Sequence, residues 1–345
     1  MTEPRSALVE LTVTRVRLFF REPSAMFWTF GFPVILSLAL GIAFRNRPPE
    51  PVRVAVEGDG ARAGATLAAL ASPRVKAAIL DAATARLELR AGKVSIVVIP
   101  GERVTYRYDE TRPESRLARA VVDDVLQRAA GRVDLVSTGD EPLTEAGGRY
   151  IDFLIPGLVG LNLMSSSMWG IGYLIVEMRT KKLMKRMLAT PMRRADFLLS
   201  FVIMRAIFVL IEVPVLFAFG WIVFGVRVAG SPVALFGLSL LGALTFAGLG
   251  LLVASRAQNT QTVGGLMNLV MMPMFICSGV FFATTNFPDA MQPYLRALPL
   301  TALNDALRAV ANEGAGMRDV VRPAAVLSAW GAAAFAGALK IFRWR

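Results

Sequence analysis

The sequence predicts an all-α polytopic membrane protein of six transmembrane helices, with a small α/β extracytoplasmic domain inserted after the first of them. Hydrophobic residues make up 54% of the 345 positions and charged residues only 19%. Uncharged runs cover 23–44, 153–176, 228–255, 257–288 and 323–339, and a bilayer crossing needs about 20 apolar residues. Between the first two runs the composition turns soluble for about 100 residues, enough for a small domain. The net charge is +12, and seven basic residues (Arg179, Lys181, Lys182, Lys185, Arg186, Arg193, Arg194) share one short segment between apolar blocks. Basic excess in a short loop is the mark of a cytoplasmic connection. The charge is therefore a topology signal and makes no case for nucleic acid.

Residues 1–22 are expected to form a cytoplasmic amphipathic helix at the interface. Val9, Val13, Val16 and Phe20 recur at helical spacing beside a polar stripe of Glu10, Thr14, Arg17 and Arg21. The first span is 23–44, whose apolar run from Ala25 exceeds the roughly 7 to 15 residues of a signal-peptide core. Residues 45–149 form the inserted domain. Strand alternation is present in Val52-Arg53-Val54-Ala55-Val56 and Val104-Thr105-Tyr106-Arg107-Tyr108, and 95–99 is a buried-strand candidate. Residues 61–70 and 115–130 read as helices, the second with Leu117, Val121 and Val125 on its inner face.

The second span is 150–176, followed by a cytoplasmic loop at 177–196. The third and fourth spans are 197–225 and 232–254. The fifth, 262–283, carries an extra hydrophobic turn because the uncharged run is long. Residues 284–321 hold Pro288, Pro293 and Pro299 with too many charges to cross, so short interfacial or re-entrant helices are expected. The sixth span is 322–342. Six spans put the amino terminus, the basic loop, the turn at Arg256 and the basic tail on one side, the cytoplasm.

Chemistry is narrowed by what is missing. There is no histidine, and Cys277 is the single cysteine, so the usual zinc sites, His-based proton transfer and an intrachain disulfide are excluded. A phosphate-cradling G-x-x-x-x-G-K-[ST] loop is absent; the one Gly-Lys pair, Gly92-Lys93, is followed by Val94. Any ATP must be hydrolysed on another chain. In the basic loop, Leu183, Met187 and Leu188 supply apolar knobs on a short helix that Thr190-Pro191 ends. Within the membrane, polar residues are costly and point to function or packing. Asn162, Ser165 and Ser166 in the second span, Glu212 in the third, and Asn268 and Ser278 in the fifth are the candidates for a translocation path. Glu212 follows Arg205 by seven residues, two turns along one helix face, and structural stabilisation between spans is the expected role, ahead of a substrate contact. Met267, Met271, Met272 and Met274 offer an adaptable apolar surface.

Two stretches carry a family resemblance. The first is Arg186-Met187-Leu188-Ala189-Thr190-Pro191-Met192-Arg193-Arg194-Ala195-Asp196-Phe197-Leu198. The second is Ser278-Gly279-Val280-Phe281-Phe282, with Leu298-Pro299-Leu300-Thr301 and Asp305-Ala306-Leu307-Arg308 after it. Their order and six-span setting resemble the type-2 ABC exporter permeases, in the subgroup with a large external domain after the first span. The chain departs from that pattern at Thr180, at Lys182-Leu183 and at Ala283. The resemblance implies a bacterial inner-membrane exporter subunit for an amphipathic, lipid-like or drug-like substrate. It also implies an ATPase-coupling loop at Leu183, Lys185, Arg186, Met187, Leu188, Thr190 and Pro191, and signature positions Ser278, Gly279, Pro299, Asp305 and Arg308. The expected partners are two copies of a cytosolic ABC ATPase subunit, a second permease copy or related permease, and membrane lipids; ATP and Mg would sit on the ATPase, with no cofactor on this chain.

Two other readings stay open at this level. An ion-coupled secondary transporter usually shows inverted repeats and several intramembrane carboxylates, whereas here only Glu212 lies well inside and Asp152 at an edge. A non-transporting scaffold with an external binding domain leaves the basic loop with its helix and proline stop unexplained.

Overall fold

The computed structural model describes residues 7–44, 51–136, 139, 147–183, 186 and 194–341. It divides into two compact units, 46–143 and the remainder of the chain. In chain order the helices and strands are α1 (Ala7–Phe20), α2 (Pro23–Ala43), β1 (Val52–Glu57), α3 (Ala61–Ala69), β2 (Val75–Leu80) and α4 (Ala82–Arg90). Next come β3 (Ile96–Ile99), β4 (Thr105–Arg107), α5 (Pro113–Ala129), α6 (Tyr150–Thr180) and α7 (Arg194–Phe224). The last are α8 (Pro232–Ala254), α9 (Thr260–Cys277), α10 (Gln292–Ala297), α11 (Pro299–Glu313) and α12 (Val321–Ile341). Six of these, α2, α6, α7, α8, α9 and α12, are long and apolar enough to cross a membrane.

The smaller unit is a four-stranded sheet in the order β2-β1-β3-β4, with β1 parallel to both β2 and β3, and β4 antiparallel to β3. Alternation along β1 sends Val54 and Val56 to one face, under α3 and α5, and Ala55 to the other, under α4. Strand β2 and helix α4 were not expected from the sequence. β2 is an edge strand that buries only Val75, so it lacks the apolar alternation that reveals a strand. The start of α4 is set by the Asp81 carboxylate, which accepts from the N–H groups of Ala83 and Thr84. Of the expected inner face of α5, Val121 and Val125 pack on the core, but Leu117 is 65% exposed, and the fully buried positions are Ala118 and Val122.

In the larger unit α8 is the central helix, packed against α6, α7, α11 and α12. Small residues let the helices approach. A Cβ on Gly250 would stand 2.9 Å from the Met168 backbone, and one on Gly172 would stand 2.7 Å from the Gly250 carbonyl oxygen. Thr245 on α8 donates to the Leu327 carbonyl of α12 at 3.0 Å. The Arg179 guanidinium donates to the carbonyls of Ala254 (3.1 Å) and Ala257 (2.9 Å), so a cation finishes the carboxy terminus of α8.

One expectation about this unit is revised. The fifth candidate span ends at Cys277 rather than running to 283. Gly279 adopts the left-handed conformation (φ 67°) that stops a helix, and the chain turns away. On α1 the buried face is Thr12 and Arg15, with Val16 and Phe19 packed on the core; Val9 and Phe20 point outward. Packing along α7 thus uses a face adjacent to the expected apolar stripe and shares Val16 with it, leaving Val9 and Phe20 exposed.

Candidate functional site

The larger unit holds a cavity of about 990 Å3 bounded by α1, α2, α6, α7 and α9. Its walls are largely aromatic and aliphatic, with Trp28 and Phe32 from α2, Trp169 and Tyr173 from α6, Phe208 from α7 and Phe275 from α9. Both π-helical turns of the described chain, Phe27–Gly31 and Met168–Tyr173, border it. A π turn widens the helix by one residue and re-aims the side chains after it, a device common at functional sites.

Four of the six residues predicted for a translocation path meet here: Asn162, Ser165, Ser166 and Glu212. Glu212 takes both terminal nitrogens of Arg205, at 2.9 and 2.7 Å, within one helix, and both side chains are buried. Ser166 Oγ lies 2.5 Å from the Asn162 carbonyl oxygen and 3.3 Å from Glu212 Oε2, so its single proton is shared by two acceptors. The pair is closed on itself, which keeps the charge of Glu212 compensated inside the membrane. Asn268 and Ser278 are not part of this site. Asn268 lies on the exposed side of α9, and Ser278 is buried beyond its end, where its carbonyl accepts from Asn304 at 2.9 Å. The four methionines do not form one surface either: Met267 and Met274 are buried, Met272 is exposed, and Met271 alone of the four lines the cavity.

Arg15 also lines the cavity and was missed by the sequence reading. Only 8% of it is exposed, and none of its three guanidinium nitrogens has a hydrogen-bond partner among the described residues. It stacks on Phe201 at 3.4 Å and, more distantly, on Phe197 at 4.9 Å. Such stacking contributes about 0.5–2 kcal/mol and covers the face of the guanidinium, leaving its in-plane N–H donors unmet. Burial lowers its pKa to about 10, so it remains a cation at neutral pH. The signal that could have found it is the alternative helical stripe of Leu8, Thr12, Arg15 and Phe19, in which an arginine interrupts a packing face.

The signature positions gather elsewhere, around α11. Arg308 donates from Nε to the Phe153 carbonyl at 3.1 Å and from Nη2 to the Gly279 carbonyl, while its fork stacks on Phe153 at 3.6 Å. Asp305 stands 3.9 Å from Arg308 Nη1. Pro299 is buried in the first turn of α11, where its missing N–H costs nothing. Close by, Asn312 donates to the Asp152 carbonyl at 2.9 Å, and the Tyr150 hydroxyl to the Phe281 carbonyl at 2.9 Å. Arg149 pairs with Asp152 at 2.8 Å and reaches the Phe224 carbonyl at 2.9 Å. α11 thus ties the turn after α9 to the start of α6. Gly157 and Gly160 make the crossing possible: a Cβ on Gly157 would stand 2.7 Å from Arg308 Nη2, and one on Gly160 would overlap Asn304 Oδ1.

Of the expected coupling loop, Leu183 and Arg186 are exposed. Lys185, Met187, Leu188, Thr190 and Pro191 lie outside the described residues.

Comparison with known proteins agrees with this architecture. The chain is 26% identical over 191 residues to the linearmycin resistance permease protein LnrN of Bacillus subtilis (strain 168), a match covering 51% of this chain and 46% of that relative. The aligned part therefore spans about half the length of that curated relative and carries no more than likeness for the remainder. The family model for the ABC-2 family transporter proteins matches residues 23–340, nearly the whole chain and a stretch that takes in the six apolar helices, so this is a multi-pass membrane protein and it belongs to the ABC-2 transporter family.

Proposed function

We propose that the chain is the membrane subunit of an exporter that moves an amphipathic, lipid-like or drug-like compound out of the cytoplasm. It would act as a dimer, with a second copy or a related permease, on two cytosolic ATPase subunits that hold the ATP and Mg. The observation that carries this reading is the cavity of about 990 Å3 with an aromatic wall and a compact polar group of Asn162, Ser165, Ser166 and the Arg205–Glu212 pair. A mixed wall of this kind suits a ligand with an apolar body and few polar groups. A relative named for resistance favours outward movement. The ion-coupled alternative is disfavoured because Glu212, well inside the third span, and Asp152, at the start of the second, are each paired with an arginine.

In this reading the amino terminus, the loop at 177–196 and the carboxy terminus face the cytoplasm, and the unit at 46–143 faces outward in a bacterial inner membrane. Gly58→Cys and Asp109→Cys in a Cys277→Ala background should react with an impermeant thiol reagent in intact cells, while Lys185→Cys should not. Reaction at 185 or protection at 58 and 109 reverses the topology.

The basic loop is proposed to press an apolar knob into the ATPase. Leu188→Ala should then cost about 2 kcal/mol of interface energy and reduce both co-purification of the ATPase and transport-linked ATP turnover. A loop that is merely a charge anchor predicts the opposite: Leu188→Ala is silent, and neutralising Lys181, Lys182 and Lys185 together disturbs insertion. Both variants are compared at equal membrane abundance, alongside the purified chain alone, which should hydrolyse no ATP.

A further inference from the structure

We propose that the cavity is a binding site for an anionic amphiphile, with Arg15 receiving its phosphate or carboxylate head and the aromatic wall holding its chain. This deepens the permease reading, and rests on it only in placing the spans in a bilayer. Arg15 is buried, cationic and without a hydrogen-bond partner among the described residues, yet it lines a cavity large enough for a hydrocarbon chain. The other described cationic side chain at the cavity, Arg205, is already neutralised by Glu212, so among the described residues Arg15 is the cation there without a paired carboxylate. Its guanidinium now rests on Phe201, and bidentate hydrogen bonds to an oxyanion are stronger than that stack. To meet an oxyanion the side chain must turn its fork off Phe201 toward the cavity that it lines.

The position along the spans suits a headgroup at one end and a chain reaching inward. Arg15 sits on the helix that precedes the first span and Glu22 lies just before that span's start, whereas Leu36 and Leu158 line the cavity from within α2 and α6. The two acidic side chains nearest that mouth, Glu22 and Glu177, do not meet Arg15; Glu177 is taken by Lys181 at 2.7 Å. Two sources supply this chemistry, a resident anionic lipid and the transported compound itself.

The test uses the full chain in vesicles carrying phosphatidylglycerol with a photoreactive acyl chain, against the same chain on phosphatidylcholine. Crosslinked positions are mapped by mass spectrometry. Phosphatidylglycerol should label the cavity segments 25–36 and 158–174 several-fold more than phosphatidylcholine. Arg15→Gln should remove that preference, and Arg15→Lys should restore part of it. Gly170→Leu is the second variant: a Cβ there meets nothing within 4 Å, so the added chain narrows the cavity while Arg15 stays intact, and labelling should fall for both lipids. Equal labelling by the two headgroups in the unaltered chain, or a preference unchanged in Arg15→Gln, overturns the proposal. Adding the ATPase partner and ATP separates the sources, since label lost on turnover marks a transported occupant and label retained marks a resident lipid; both are consistent with the site. Labelling needs no ATPase, so its failure leaves the exporter reading standing, and a chain that binds no ATPase can still show the headgroup preference.

Discussion

Glu212→Ala is expected to destabilise the membrane unit by about 3–5 kcal/mol, the cost of leaving a buried charge without its partner. Arg205 is 3% exposed, and its hydrogen bonds both go to Glu212, because Nε has no partner. Removing the carboxylate strands the guanidinium inside the bundle. The double change Arg205→Met with Glu212→Leu should recover most of the loss, since an apolar pair of similar volume needs no desolvation of charge. Thermal unfolding of purified protein and membrane abundance measure both variants. Near-normal stability of Glu212→Ala would show that water or another group already compensates Arg205. If the stable double variant loses transport when the ATPase is present, the polar group serves the cargo as well as the fold.

Arg308→Ala should cost upwards of about 3 kcal/mol, since two charge-assisted hydrogen bonds of about 1.5–3 kcal/mol each are lost together with the stack on Phe153. Arg308→Lys should rescue little. A single ammonium cannot reach the carbonyls of Phe153 and Gly279 in the directions that the fork serves. The predicted readout is local as well as global: amide exchange should rise through 278–283, the turn that Arg308 and Asn304 hold against α6 and α11, and the unfolding temperature should fall. Unchanged exchange there would mean that Asn304 and the Tyr150 hydroxyl hold the turn without Arg308.

The six apolar helices were legible because a bilayer crossing imposes length and composition on a contiguous segment, and contiguity is what a sequence displays. The same holds for β1, β3 and β4, and for α3 and α5, whose apolar spacing or helical periodicity is strong. Where burial was shallow the signal failed: β2 lies at the sheet edge with one buried residue, and α4 depends on the Asp81 cap more than on an apolar face. The end of α9 was overestimated because apolar composition continued past Cys277, although Gly279 already carried the stop signal.

The candidate site divides along the same line. That Glu212 and Arg205 share one helix face was legible from their spacing, but stabilisation between spans was expected, and the packed structure closes the pair within its own helix. Signature residues such as Gly279 and Arg308 were picked out by resemblance, but their physical role, an arginine tying two segments 155 and 29 residues away, exists only once the helices are packed. The sequence by itself determined the multi-pass character, the six segments long and apolar enough to cross a membrane, the inserted α/β unit and the absence of a phosphate-cradling loop, because each is a property of local composition and spacing. The tertiary structure alone decided that α1 turns Arg15 rather than Val9 toward α7, that Asn268 and Ser278 lie apart from Asn162 and Ser166, and that two π turns border one cavity. Which face a helix buries is set by the neighbour that covers it, and that neighbour is distant in the chain.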